Sequence, residues 1–330
     1  MNIRTLRHGP WTARINADRG ANCISLHHER YGLRILREPA YEKGLDDPFL
    51  YGMPILFPVN RISGGVFRFE GREYHFPINE PSTGCHLHGV LHQLPFAIEE
   101  QACDRITCAF VHQGEMTGFP HDFVIRMSYV LSETGLAQTV SVTNLSETNM
   151  PILLGFHTTF DLHGIAGGDV LVGAEVSDYV ERDMKTYLPT GRILPEDAVT
   201  DALKISDFNP FSQKISRHYK SCGAGKITLR ERARGLTVVY ENDAKYGWRL
   251  VYNGDADRFI CLEPQTAAVD AANAPYPLGY AAIPFLAPGA TDTYHSKITL
   301  LEKGENYEDH KAGADQGQTQ MDVFEGLYRC

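Results

Sequence analysis

The chain has 330 residues, 43% of them hydrophobic and 22% charged, enough apolar surface to bury a sizeable core and too much for a disordered chain. Its 31 Lys and Arg against 41 Asp and Glu give a net charge of −10, which repels a phosphate backbone and makes a small neutral molecule a more natural partner than nucleic acid. Seven scattered cysteines without a CxxC spacing suggest neither a zinc site nor a disulfide framework, and the absence of an apolar leader or a membrane-length apolar run predicts a cytoplasmic protein with no membrane contact.

Short period-two stretches separated by turn residues dominate, and amphipathic helical patterns are scarce, so the expected fold class is all-β. In chain order, the first segment with chemical potential is Phe57-Pro58-Val59-Asn60-Arg61-Ile62. An arginine held at a strand end can offer its planar fork of donors to two neighbouring sugar hydroxyls; standing alone, it could equally be a surface loop residue. A hairpin is expected next, Val66–Phe69 against Glu73–Phe76 around Glu70-Gly71-Arg72.

Gly84-Cys85-His86-Leu87-His88-Gly89-Val90-Leu91-His92 places three histidines within seven residues. His86 and His88 have the spacing of paired metal ligands on one strand face, as in a cupin, but no carboxylate follows to complete a ligand set, so no metal is expected. The preferred reading is that one or two imidazoles bond a polyol, helped by the close backbone approach that Gly89 permits. A second hairpin is expected from Phe123–Leu131 and Leu136–Asn144 across Ser132-Glu133-Thr134-Gly135.

His157 then interrupts the apolar run Leu153 to Leu162. It reads either as a satisfied core histidine or as a proton-transfer group with an ordinary pKa of about 6.5. A third hairpin is expected from Leu236–Glu241 and Trp248–Asn253 around Asn242-Asp243. In Phe259-Ile260-Cys261-Leu262-Glu263-Pro264-Gln265-Thr266 a carboxylate ends an apolar strand, and Pro264 is expected to stop that strand with Glu263 aimed into a cleft. Burial there would raise its pKa toward the range of a general base, unless it forms an ion pair with Arg258 or Arg249. Lys297–Leu301 is the last strand. No repeat or composition break precedes residue 302, which predicts one sandwich domain over 1–301; the polar stretch 302–330 reads as a partly mobile extension whose Met321–Tyr328 could dock on its own body or on a second copy, leaving monomer and homodimer both open. No GxSxG, GxGxxG, Walker loop or HExxH occurs.

Taken in this order, the segments resemble the aldose 1-epimerase (mutarotase) family over about Thr12 to Leu301. Gly52-Met53-Pro54-Ile55-Leu56-Phe57-Pro58 leading into Asn60-Arg61-Ile62 is similar to the family's first signature, and Leu188-Pro189-Thr190-Gly191 and Leu286-Ala287-Pro288-Gly289 to recurring turns. The resemblance implies a large antiparallel β-supersandwich (galactose mutarotase-like), Glu263 in its Glu-Pro-Gln-Thr context as general base, His157 as general acid, and Arg61 and His88 on the substrate. Asn60, His86 and Gln265 join the expected substrate-binding set, and Trp248 is a candidate aromatic wall for the sugar. Three departures stand out: His157-Thr158-Thr159-Phe160 in place of His-Pro-Tyr-Phe, His88-Gly89-Val90 in place of His-Gly-Gly, and Arg217-His218-Tyr219 near the place where many members carry a substrate-binding Asp.

The implied reaction interconverts the α and β anomers of a free aldose by acid–base ring opening and reclosure, with no cofactor. The alternatives are a hexose-phosphate 1-epimerase, for which Arg68, Arg72 and Lys185 could gather round the dianion, and a non-catalytic sugar-binding protein on the same fold.

Overall fold

Alternation of apolar and polar side chains dictates extended chain wherever one sheet face is buried, and two ten-residue strands show it directly. Along Phe123–Ser132 and Gly135–Asn144 buried and half-buried positions alternate almost without fault. The computed structural model describes residues 2–39, 48–166 and 169–305; the expected extension beyond residue 305 lies outside the described residues.

Two large antiparallel sheets carry the architecture. One runs, in spatial order, through Ala97–Gln101, Arg105–His112, Phe123–Ser132, Gly135–Asn144, Thr291–Leu301, Leu236–Asn242, Ile227–Glu231 and Val170–Ala174. The other runs through Pro189–Leu194, Val176–Arg182, Ser216–Ser221, Trp248–Tyr252, Phe259–Gln265, Gly155–Phe156 and Ile55–Leu56, with Thr159–Asp161 also paired to Phe259–Gln265. A four-stranded sheet from residues 3–34 adds a flank. The expected all-β supersandwich is the observed architecture. Its core is a contiguous apolar cluster to which the first sheet gives Ile125, Val140, Tyr240 and Ile298 and the second Phe156, Val251, Ile260 and Leu262. Among the described residues no helix is long and apolar enough to cross a membrane.

The first two expected hairpins form, each with a two-residue turn: Phe69 pairs Arg72 around Glu70-Gly71, and Ser132 pairs Gly135 around Glu133-Thr134. Glu70 and Gly71 both have positive φ, 46° and 82°, the backbone twist a two-residue hairpin requires, so Arg72 belongs to the strand. The third expected hairpin does not form. Leu236–Asn242 pairs Ile227–Glu231 and Thr291–Leu301 in the first sheet, whereas Trp248–Tyr252 lies between Ser216–Ser221 and Phe259–Gln265 in the second. The segment 243–247 is a crossover. Each strand turns back on its other neighbour in the chain, Leu236–Asn242 on Ile227–Glu231 and Trp248–Tyr252 on Phe259–Gln265, and its second edge is taken by Thr291–Leu301 or Ser216–Ser221, which outweighs the local turn signal.

Pro264 does not end its strand either. Phe259–Gln265 continues through it, with Pro264 opposite Arg249. The missing donor falls between two bonds that the strand keeps, Leu262 N–H to Thr158 O at 2.9 Å and Thr266 N–H to Leu154 O at 2.8 Å, and the facing strand is itself split there into Gly155–Phe156 and Thr159–Asp161.

Candidate active site

Strand parity decides which side chains reach the cleft. On Phe259–Gln265 the side chains of Ile260 and Leu262 enter the core between the sheets, so Glu263 and Gln265 project from the opposite face. On the neighbouring strand Val251 enters the core and Leu250, paired with Glu263, lines the cleft. The other neighbour pairs Gly155 with Gln265 and Thr159 with Cys261, and the same register places His157 directly across from Glu263. Cross-strand partners on one face meet at close range. Here His157 Nε2 stands 3.2 Å from Glu263 Oε1 on the floor of a cleft of about 580 Å³.

Both groups are buried. Glu263 is 0% exposed and His157 6%. Burial without a contacting cation pushes the Glu263 carboxyl up to about 8, against which the Gln265 bond and the more distant charges of Arg182 and Arg61 act. Burial likewise drives the His157 imidazole down to about 3. Both shifts favour the uncharged forms, a carboxylic acid beside a neutral imidazole. Neither local pairing considered for Glu263 occurs: Arg249 points to the other side of its strand, donating to Asn242 Oδ1 and Gly225 O, and Arg258 binds Asp255.

The remaining predicted residues divide. Gln265 donates to Glu263 Oε2 and accepts from Asn60 Nδ2, each at 3.1 Å, and is 0% exposed. It holds the Glu263 carboxyl and does not itself line the cleft. Asn60 lines the cleft and is bound twice to His88: its backbone N–H donates to His88 Nδ1 at 3.2 Å, and His88 N–H donates to Asn60 O at 3.0 Å. With Nδ1 accepting, the His88 proton sits on Nε2, a donor for the cleft. Asn60 and His88 have φ of 61° and 60°, and Gly89 must be glycine, because a Cβ there would lie 1.9 Å from Phe57 O.

Arg61 lines the cleft, but half of its fork is already used: Nε and Nη2 each lie 2.7 Å from the Glu80 carboxylate, which Thr83 also binds. The guanidinium lies 4.7 Å from the centre of the Tyr187 ring. The expected presentation of a whole free fork is thus corrected to a single free edge.

His86 and Trp248 are not at the cleft. His86 stays within the strand Cys85–Leu87, where its Nδ1 bonds Pro77 O at 2.7 Å and its ring packs on Phe76. His88, beyond the strand end and at positive φ, turns the other way, so the two rings do not converge as paired metal ligands. Trp248 shares the face of Leu250 but is covered by His218, stacked at 5.2 Å, and by Tyr280 at 5.5 Å. The aromatic surfaces that line the cleft are Phe49, Tyr187 and Tyr252.

Sequence reasoning missed Arg182. It ends the strand Val176–Arg182, is 8% exposed, lines the cleft, and donates through Nη2 to Ser216 O at 2.7 Å and Ser216 Oγ at 2.9 Å. β-Bulges interrupt this strand, so that Val176 packs in the main core and Val180 beside Trp248, and simple alternation did not mark Arg182. Arg217-His218-Tyr219 brings no carboxylate into the cleft, since Arg217 binds Asp197 at 2.7 Å and His218 is buried under Trp248. Arg68 pairs with Glu73 on the outer hairpin, and neither it nor Arg72 or Lys185 lines the cleft.

The sequence matches the family model for aldose 1-epimerase over residues 5–307. It is 32% identical over 221 residues to the uncharacterized protein YihR of Escherichia coli, covering 65% of this chain and 69% of that one, and 24% identical over 258 residues to the uncharacterized E. coli protein YphB, covering 75% and 82%. A galactose mutarotase-like protein of Clostridium acetobutylicum superposes with a TM-score of 0.85 at 26% identity, over 90% of this chain and 94% of that one. The aldose epimerase homologue of C. elegans, at 15% identity, shares the fold with a TM-score of 0.73 over 92% and 99%.

Proposed function

The chain belongs to the aldose 1-epimerase family, and from that premise we propose that it interconverts the α and β anomers of an aldose, with Glu263 and His157 as the proton-transfer pair. The observation that carries this reading is the buried cross-strand contact of the two groups on the cleft floor.

Ring opening needs one proton removed from the anomeric hydroxyl and one delivered to the ring oxygen, two atoms attached to the same carbon. A base and an acid side by side match that demand. A carboxylic acid facing a neutral imidazole holds the same number of protons as a carboxylate facing an imidazolium, so transfer of one proton across the 3.2 Å contact produces the reactive pair without exchange with solvent. Glu263 then takes the anomeric proton while His157 protonates the ring oxygen, and the C1–O5 bond breaks to give the open-chain aldehyde. Rotation about C1–C2 presents the other carbonyl face. Reclosure with the roles reversed yields the opposite anomer, and every proton is returned, so the cycle balances with no redox partner. His88 Nε2–H and the free edge of Arg61 hold ring hydroxyls, while Gln265 and Asn60 keep Glu263 in place.

The test is anomer exchange measured by NMR on free aldoses. Glu263→Gln, which preserves size and the bond to Gln265, is expected to lower kcat by roughly 10²–10⁴-fold while sugar binding persists. An unchanged exchange rate would exclude Glu263 as the base. Wild type that binds aldoses without exchanging them would instead identify a sugar-binding protein.

A further inference from the structure

The cleft is positively charged in a molecule whose net charge is −10. Its charged lining is Arg61, Glu80, Arg182, Lys214 and Glu263. Glu80 is consumed by Arg61 through two 2.7 Å bonds, and burial favours the neutral form of Glu263, so that even with Glu263 ionised the cations outnumber the carboxylates. Arg182 and Lys214 are left over. Among the described residues no carboxylate lies within ion-pair distance of either, and the only side-chain or backbone oxygens that Arg182 binds, those of Ser216, are neutral.

A nearly buried guanidinium with no carboxylate at ion-pair distance is costly, and it is offset by neutral acceptors or by a ligand. Arg249, in the same sheet, is of the first kind, its Nη1 and Nη2 donating to Asn242 Oδ1 and Gly225 O on the core side. Arg182 instead faces an open cleft. Its guanidinium and that of Arg61 lie 5.8 and 4.7 Å from the centre of the same Tyr187 ring, and Tyr187 has a φ of 58°, a conformation that surrounding structure must hold in place.

Distance along the sheet says which part of a ligand these cations meet. Ser216 pairs Tyr252, which pairs Cys261, two residues before Glu263. Two strand spacings across and two residues along put the Ser216 backbone roughly 12 Å from that of Glu263. The Arg182 and Lys214 end of the cleft therefore addresses the part of the sugar remote from its anomeric carbon.

We propose that Arg182 and Lys214 form a subsite for an anionic substituent, so that the preferred substrate is an aldose carrying a carboxylate, sulfonate or phosphate at the end opposite C1. The proposal rests on the epimerase reading and narrows its substrate class. A planar guanidinium and a mobile ammonium suit any of these three oxyanions.

Anomer exchange on the full chain tests it with four probes of one hexose configuration: the neutral hexose, the hexuronate, the 6-sulfonate and the 6-phosphate. At least one anionic probe is expected to exceed the neutral hexose in kcat/KM by about tenfold or more, the size of one charge-assisted contact. Which probe leads identifies the oxyanion. Arg182→Met is expected to collapse the anionic-to-neutral ratio mainly through KM, Lys214→Met to reduce it by a smaller factor, and added salt to raise KM for the anionic probe alone. Because Lys214 is exposed, its variant keeps the test open if Arg182→Met does not fold. A neutral hexose that turns over as fast as every anionic probe overturns the subsite, as do variants that slow neutral and anionic probes by the same factor. In both of these outcomes exchange by wild type and its loss in Glu263→Gln leave the epimerase reading standing. No exchange of any probe by wild type overturns both.

Discussion

Two buried histidine clusters lie in this molecule, and they differ in what their ring nitrogens do. In the first, His112 Nδ1 bonds His121 O at 2.7 Å and its Nε2 accepts the Met116 N–H at 2.9 Å, while His121 Nε2 bonds the Tyr74 hydroxyl at 2.7 Å, all packed among Phe119 and Phe123. In the second, at the cleft, His157 Nδ1 and Glu263 Oε1 have no aligned hydrogen bond, although the pair is in contact and buried. The first cluster spends three of its four ring nitrogens on its own chain, His121 Nδ1 being left without a partner, and so builds structure. The second withholds valence where a cleft can deliver a ligand. Burial and an unpartnered ring nitrogen are common to both, and what separates them is that His157 and Glu263 line the cleft.

Substitution separates the clusters most sharply at the cleft. His157→Asn is expected to lower kcat by roughly 10²–10⁴-fold in an anomer-exchange assay, with a melting temperature at or above wild type, since the ring it removes has an unpaired buried nitrogen. His112→Ala is expected to do the opposite, costing about 2–4 kcal/mol in denaturant unfolding by opening a cavity and orphaning the Met116 N–H and the His121 carbonyl, with kcat/KM within about twofold of wild type. A His112 variant that is stable but inactive would erase the distinction.

The pH dependence of stability provides a smaller effect. The Glu263 carboxyl binds its proton up to about 8 in the folded state but only to its ordinary value of 4.5 when unfolded, so the folded chain holds the extra proton between these values and stability falls as pH rises from about 4.5 to 8. His157 acts on the acid side. Held neutral down to about 3 when folded and protonating at 6.5 when unfolded, it removes stability as pH falls from 6.5 toward 3. Thermal melts should therefore show Glu263→Gln gaining on wild type steadily from pH 5 to 8, and a gap that stays constant would contradict the buried neutral carboxyl.

The smallest expected effect concerns positioning. Gln265→Leu removes a donor that favours the Glu263 carboxylate, so the pH profile of kcat should move upward by roughly one unit with a modest loss of kcat and little change in KM. A profile that falls in height without moving would give Gln265 a purely structural role.

Residues were legible in the sequence where the controlling contacts are local. The turn at Glu70-Gly71 and the one at Glu133-Thr134 lie between strands that pair with each other, so alternation and turn chemistry were sufficient. The segment 242–248 has comparable turn chemistry, yet the strands on either side find other partners, in different sheets. The same limit shaped the site. Glu263 and His157 interrupt apolar runs and stand out, and Gln265 shares the parity of Glu263. That Trp248 is covered by His218 and Tyr280, that His86 turns toward Pro77, and that Glu80 takes half of Arg61's fork all depend on residues far along the chain or on a change of backbone direction. Arg182 was hidden by the β-bulges that break the alternation from Val176 to Val180 to Arg182, and its significance depends on which carboxylates lie near it in space.

The spacing of His157 and Glu263 is fixed by a whole-number quantity. Two facing strands can be offset by one residue or by two, never by a fraction, and an odd offset turns a side chain from the cleft to the core. A single-residue insertion between Gly155 and Thr159 would thus not loosen the His157–Glu263 contact gradually. It would turn one member toward Ile260 and Leu262 and leave the other alone at the cleft, so the cleft rim can be rebuilt by small steps while the pair on its floor changes only by jumps.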